Sequence, residues 1–238
     1  MARRVRSQKR VIDFVFCLFT FSLLFFFCLF LVSGCNKQET EIEQIRKLPA
    51  AERKAELLML LESKFENPDA HFELGQLYHA EKKWSQAQWR YERALSFDPV
   101  HRPAQAAMVK LFLDSGEAAK AKTYADIYMG QVAGSVDRLL QLGSAFEQQQ
   151  LDDYAMSCYQ EALRLEPDSA KVHRQMGYYY LGKKNDVRAK EYLSRSFELD
   201  PKQTDVAGEL GRLGVEVRIP REAETQTKKP EKENKKVK

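Results

Sequence analysis

Three patterns of apolar and polar positions follow one another along the chain. Residues 14–32 carry no charge and include eight Phe, a run long enough to cross a bilayer. From Pro49 onward, apolar positions recur at helical spacing. Leu57, Leu60, Leu61 and Phe65 form one stripe, and Pro49-Ala50-Ala51-Glu52 places Pro in a first turn. The spacing predicts an amphipathic helix from there to about Phe65, a cap spanning 49–67. Residues 35–48 read as a tether with room for some helix. Beyond residue 217 the pattern lapses into Pro, Glu, Lys and Thr. Such a segment cannot bury a core, so 218–238 is expected to be a disordered tail.

The central stretch repeats itself. Gly75, Gly143 and Gly177 each follow an apolar residue, and Pro99, Pro167 and Pro201 each follow an acid. Both sets are spaced by 34 residues or twice that, a period that signals a solenoid. Starting units at 68, 102, 136 and 170 gives four repeats, 68–101, 102–135, 136–169 and 170–203. Position 20 is then Ala87, Ala121, Ala155 and Ala189. Position 11 is Tyr78, Phe112, Phe146 and Tyr180, and position 24 is Tyr91, Ala125, Tyr159 and Leu193. Small residues at positions 8 and 20 allow two helices to approach closely, an aromatic at 11 fills the gap, and Pro at 32 stops the second helix.

The second repeat departs from the pattern. Val109 stands where the others have Gly, and Ala133 where they have Pro. Its second helix is expected to be the least regular. Residues 204–217 continue the first-helix pattern with Leu210-Gly211 and read as a solvating C-terminal cap with Thr204 as N-cap.

These 34-residue units resemble the tetratricopeptide repeat (TPR) over residues 68–203. The resemblance implies an all-α, TPR-like α-solenoid of helix hairpins. The Trp common at position 4 of that family is missing; His71, Gln105, Leu139 and His173 stand there. In the family, first-helix positions 2, 5, 9, 12 and 13 line a concave groove that holds a peptide or a partner helix. Carried onto this chain, those positions are Phe72, Gln76, His79, Lys110, Leu113, Leu140, Ser144, Glu147, Lys171, Arg174, Tyr178 and Leu181. Among them Phe72, Gln76, His79, Lys110, Lys171, Arg174 and Tyr178 are the candidate partner contacts. The Lys and Asn arrangement by which some relatives capture a C-terminal Asp motif is not reproduced.

The N-terminus resembles an address. Five cations lie in the first ten residues, and the apolar run ends Leu31-Val32-Ser33-Gly34-Cys35. This is similar to the lipobox of bacterial lipoproteins. It implies a signal peptide over 1–34, cleavage between Gly34 and Cys35, and a diacylglycerol thioether on Cys35 that makes 35–48 a lipid-anchored tether. An uncleaved signal anchor with an incidental cysteine is the other reading of the same residues. Positive charge ahead of the run should hold the N-terminus in the cytoplasm, so the body should lie outside it. Asn36 in place of Asp implies the outer membrane where the organism has one, otherwise the outer face of the plasma membrane.

Charge and chemistry narrow the function. The net charge of +4 matches what the tail alone carries, eight Lys and Arg against four Glu, while the basic head is offset by an acidic body. That excludes the basic face a nucleic-acid binder needs. His71, His79, His101 and His173 have no metal-ligand spacing, and no phosphate loop or nucleophile motif is present. Cys158, the one cysteine of the body, reads as a buried thiol. No enzyme activity, cofactor or small-molecule substrate is expected. Two roles remain. One is a membrane-anchored scaffold that binds protein partners in envelope, pilus or secretion assembly. The other is a non-catalytic accessory subunit of an envelope enzyme complex, for peptidoglycan hydrolysis or cytochrome maturation.

Overall fold

The computed structural model describes residues 37–218, and these form eleven α-helices with no strand among them. In order they are α1 (Lys37–Arg46), α2 (Ala50–Ser63), α3 (Pro68–Ala80), α4 (Trp84–Phe97), α5 (Arg102–Asp114) and α6 (Ala118–Val132), then α7 (Val136–Gln148), α8 (Asp152–Leu165), α9 (Ala170–Gly182), α10 (Asp186–Leu199) and α11 (Thr204–Arg212). Helices α3 to α10 pair as α3–α4, α5–α6, α7–α8 and α9–α10. Three residues separate the two helices of each pair, a connection so short that it forces antiparallel neighbours. The first helices of successive pairs stand side by side. The fold is the all-α, TPR-like solenoid expected from the 34-residue period. The expected signal peptide over 1–34, its cleavage site at Gly34 and Cys35, Asn36 and residues 219–238 lie outside the described residues.

One backbone device makes all four hairpin turns. Repeat position 15 is left-handed each time: Lys82 (φ 58°), Gly116 (φ 85°), Gln150 (φ 60°) and Lys184 (φ 56°). The next amide then donates back to the carbonyl of the position 11 aromatic. The pairs are Lys83 to Tyr78 (2.9 Å), Glu117 to Phe112 (2.7 Å), Leu151 to Phe146 (2.9 Å) and Asn185 to Tyr180 (2.9 Å). This is the Schellman arrangement, which satisfies carbonyls that a helix end leaves free.

Close packing within a hairpin rests on a matched pair. A Cβ added at Gly75 would stand 2.5 Å from Tyr91 Cε1, one at Gly143 would stand 2.5 Å from Tyr159 Cε1, and one at Gly177 would stand 2.5 Å from Leu193 Cδ2. Position 8 is therefore empty because position 24 fills it. The second repeat exchanges the sizes, with Val109 at position 8 and Ala125 at position 24, and both are fully buried. The four Ala at position 20 are also fully buried, and one apolar core runs from Phe72 to Ala189.

In three of the four repeats, position 4 ties the first helix to the loop before it, the exception being Leu139. His71 Nε2 lies 2.8 Å from the Phe65 carbonyl, Gln105 Nε2 donates to the Pro99 carbonyl at 2.9 Å, and His173 Nε2 lies 2.8 Å from the Pro167 carbonyl. Each acceptor is six residues upstream. A polar side chain here satisfies a carbonyl that Pro or a turn leaves outside the helix ladder.

Four expectations are corrected. Residues 37–46, read as part of a tether, form α1, because Ile42 and Ile45 bury themselves against Leu57, Leu60, Leu61 and Leu74. An ion pair from Arg46 to Glu73 (2.7 Å) fixes its end. Helix α2 stops at Ser63, so Phe65 falls past its end, half exposed, with its ring edge against His71 and Phe97. Helix α6, expected to be irregular, is continuous and 15 residues long. Lacking the Pro, it runs on to a buried Val132 and breaks only at Gly134, whose φ is +82°. Thr204 does not cap α11. Gln203 holds the cap position, and its amide donates instead to the carbonyls of Ser196 and Asp200.

Candidate partner-binding groove

The aligned first helices α3, α5, α7 and α9 give the solenoid one inner face. Their starts are set by local capping. Asn67 Oδ1 accepts from the Ala70 amide (3.0 Å) ahead of α3, and His101 Nδ1 accepts from the Ala104 amide (3.1 Å) ahead of α5. That bond requires His101 Nδ1 to be unprotonated, so Nε2 carries the proton it shares with Asp69 Oδ1 at 3.1 Å. The hydrogen bond from His101 in turn lowers the Asp69 carboxyl below its ordinary range.

The expected groove residues fall into two clusters and one correction. At the α3–α5 end, Asp114 gathers two of them: His79 Nε2 lies 3.1 Å from its Oδ2, and Lys110 Nζ donates to its Oδ1 at 2.9 Å. His79 is half-buried beside Gln76, and burial lowers its proton affinity despite Asp114. At the α9 end, Lys171, Arg174 and Tyr178 share a face, as their spacing implies, but each meets an acid of this chain. Lys171 pairs with Asp137 of α7. Tyr178 donates to Asp205 Oδ2 of α11 at 3.0 Å, and Arg174 stands 3.8 Å from the same oxygen. Desolvation, then the bond to Asp205, pushes the Tyr178 hydroxyl up to about 12. Phe72 is the correction. It is buried against Tyr91 and His101, with ring centroids 6.2 and 5.3 Å away, and is core rather than contact surface. Leu140 is likewise buried, whereas Leu113 is exposed.

Between α5, α7 and α9 the inner face opens into a cleft of about 570 Å³. Its wall includes the expected Leu140, Ser144, Lys171 and Arg174. It also includes Asp69, Asp98, Val100, His101, Arg102, Pro103, Asp137, Gln141, Ala145, Gln148 and Gln175. Most of the second group lie at helix starts and in the α4–α5 loop. A register that ranks groove positions within each first helix does not reach them. The capping pattern at His101-Arg102-Pro103 was the one signal in the sequence that could have.

The remaining candidates stay structural. Cys158 is fully buried, and desolvation pushes its thiol up to about 12, well away from a reactive thiolate. His71 and His173 serve the loop carbonyls already described. Among the described residues no group of His, Cys, Asp and Glu is arranged to hold a metal ion, and no helix is long and apolar enough to cross a membrane.

Residues 136–169, which form α7 and α8, match the tetratricopeptide repeat family. The chain carries a tetratricopeptide repeat. The chain is also similar to part of the human protein O-mannosyl-transferase TMTC1, 23% identical over 125 residues; the match takes in 52% of this chain and 14% of that protein's length. Solved structures similar to it include PilF of Pseudomonas aeruginosa (27% identity, 61% of this chain and 67% of the other, TM-score 0.34). MamA of Desulfovibrio magneticus RS-1 is 17% identical over 70% of this chain and 94% of the other, with a TM-score of 0.36. YrrB, described as a TPR protein with an unusual peptide-binding site, is 17% identical over 74% of this chain and 86% of the other, also at 0.36.

Proposed function

We propose that this protein is a non-catalytic scaffold that holds a protein or peptide partner along the inner face of its TPR array. The cleft between α5, α7 and α9 carries the reading. It joins apolar walls from Val100, Leu140 and Ala145 to polar and charged groups from Gln141, Ser144, Gln148 and Lys171. A mixture of that kind suits an extended peptide or an amphipathic helix, which needs pockets for side chains and hydrogen bonds for orientation.

The scaffold works at a membrane outside the cytoplasm, anchored by lipid on Cys35, and serves assembly at the cell envelope. The basic head, the apolar run and the residues Leu31 to Cys35 support that placement.

The test is affinity capture from detergent-solubilised envelope with tagged full-length chain and with Ser144→Tyr. Ser144 is half-buried on the cleft wall, so a Tyr there fills the cleft without entering the core. Circular dichroism of the variant should match the parent, while recovery of cleft-bound partners should fall severalfold. Equal recovery of every partner would move the binding site off this face.

A further inference from the structure

One cation in the cleft wall has no carboxylate partner among the described residues. Arg102, the first residue of α5, is only 8% exposed yet lines the cleft wall. Its Nη1 donates to Gln105 Oε1 at 2.8 Å, and its Nε has no hydrogen-bond partner. Gln105 is itself pinned, since its amide nitrogen donates to the Pro99 carbonyl (2.9 Å) and to Gln131 Oε1 (3.2 Å). A neutral amide therefore holds the guanidinium in place without neutralising it, and Arg102 forms no ion pair among the described residues. The other cations of the wall differ: Lys171 meets Asp137 and Arg174 approaches Asp205, while the carboxylate of Asp69 is hydrogen-bonded by the neutral His101 ring. Asp98 acts on Arg102 only at longer range, and its Oδ1 is taken up by the Val100 amide. Arg138 adds a second positive field from α7.

A buried cation without a carboxylate is costly to keep, because desolvation is not offset by an ion pair. An incoming carboxylate would supply what is missing through charge-assisted hydrogen bonds in planar, two-point geometry. We propose that Arg102 is the anchor for a carboxylate of the partner peptide, with apolar peptide side chains resting on Val100 and Leu140. The carboxylate belongs to an acidic side chain or to a chain terminus. This rests on the inner-face reading above and names the partner chemistry it selects. Burial and Arg138 both lower the proton affinity of the guanidinium, the direction an added anion would reverse.

The probes are three synthetic peptides: Ac-Ala-Leu-Glu-Leu-Ala-NH2, its Gln counterpart, and the Gln counterpart with a free C-terminal carboxylate. Each is titrated into the full-length chain in detergent micelles. Charge-assisted bonds predict that at least one carboxylate-bearing peptide binds about tenfold tighter, or more, than the capped Gln peptide. Which of the two does so identifies the source. Arg102→Gln should erase the preference. Equal binding of all three peptides to the parent chain, or a preference that survives Arg102→Gln, overturns the proposal. A second measurement stands apart from any peptide. Without ligand, Arg102→Met should melt at the same temperature or higher, since it removes an uncompensated buried charge. A clear fall would make Arg102 a structural support and also overturn the proposal. In the envelope capture, loss of partners by Ser144→Tyr with full recovery by Arg102→Gln sinks this inference alone. Full recovery by both variants removes the inner-face reading and the inference with it.

Discussion

Lys82, Gln150 and Lys184 do at the hairpin turns what Gly116 does in the second repeat. All four are left-handed, a conformation that crowds Cβ in any residue but Gly and costs on the order of 1–2 kcal/mol. Gly gives back part of that difference through the greater entropy it loses on folding. Gln150→Gly should therefore stabilise the protein by about 0.5–1 kcal/mol, read as a higher midpoint in urea with an unchanged slope. A lower midpoint would show that the Gln150 side chain has a role of its own. His71 offers a pH test. Desolvation, with Arg90 and Arg93 nearby, holds its proton affinity below the ordinary value of 6.5, outweighing the bond to the Phe65 carbonyl. The unfolded chain then binds the proton more readily than the folded one. Stability is full above about pH 6.5 and falls as the pH drops through and below that value. His79 is shifted the same way by burial. Gln105 shows that an amide can make the same carbonyl bond. His71→Gln should thus leave the neutral-pH melting temperature nearly unchanged and make its decline toward about pH 5 shallower. An unaltered decline would assign the acid sensitivity to His79 or to the carboxylates.

At the scale of the helix, α1 and α6 show how packing overrules local signals. Residues 37–46 are so polar that their pattern reads as a tether, and among residues 41–46 Ile42 and Ile45 are the buried ones. Two apolar residues are enough because α2 already presents Leu57, Leu60 and Leu61. Ile42→Asp should remove that contact and cost about 1.5–3 kcal/mol of local stability. Hydrogen exchange should report lost protection in α1 with α7 to α10 unaffected, since solenoid repeats feel mainly their neighbours. Loss of protection throughout would mean that α1 supports the whole stack. In the second repeat, the Gly missing from α5 and the Pro missing after α6 read in the sequence as decay of the repeat. The packing shows compensation, because Val109 and Ala125 exchange the sizes that Gly143 and Tyr159 have one repeat later. The position 24 residues were already aligned by the 34-residue register. What the register did not reveal was that positions 8 and 24 touch.

For the molecule as a whole, the solenoid and the proposed leader make separate demands. A lipid anchor through Cys35 predicts that Cys35→Ser stays unprocessed and takes up no labelled fatty acid, whereas the parent chain incorporates the label. Incorporation by the Cys35→Ser protein would support the signal-anchor alternative. Contacts that bridge repeats, such as Lys54 with Glu81, Lys171 with Asp137 and Arg195 with Asp168, are exposed pairs, weak individually and screened by salt. The stack is held instead by the continuous apolar core.

By itself the sequence determined the helical class, the 34-residue unit and the inward-facing residues. Those depend on periodicity and on residue size, which survive in one dimension: Ala at position 20, Pro at 32 and the aromatic at 11 keep their spacing whatever surrounds them. It also marked Lys171, Arg174 and Tyr178 as one face. Only the tertiary structure decided what that face meets, because Asp137 and Asp205 arrive from neighbouring helices, 34 residues before Lys171 and 27 after Tyr178. The same holds for the cleft. Phe72 leaves the groove and Arg102 enters its wall because burial and charge pairing are sums over several helices at once, and no spacing along a single helix records them.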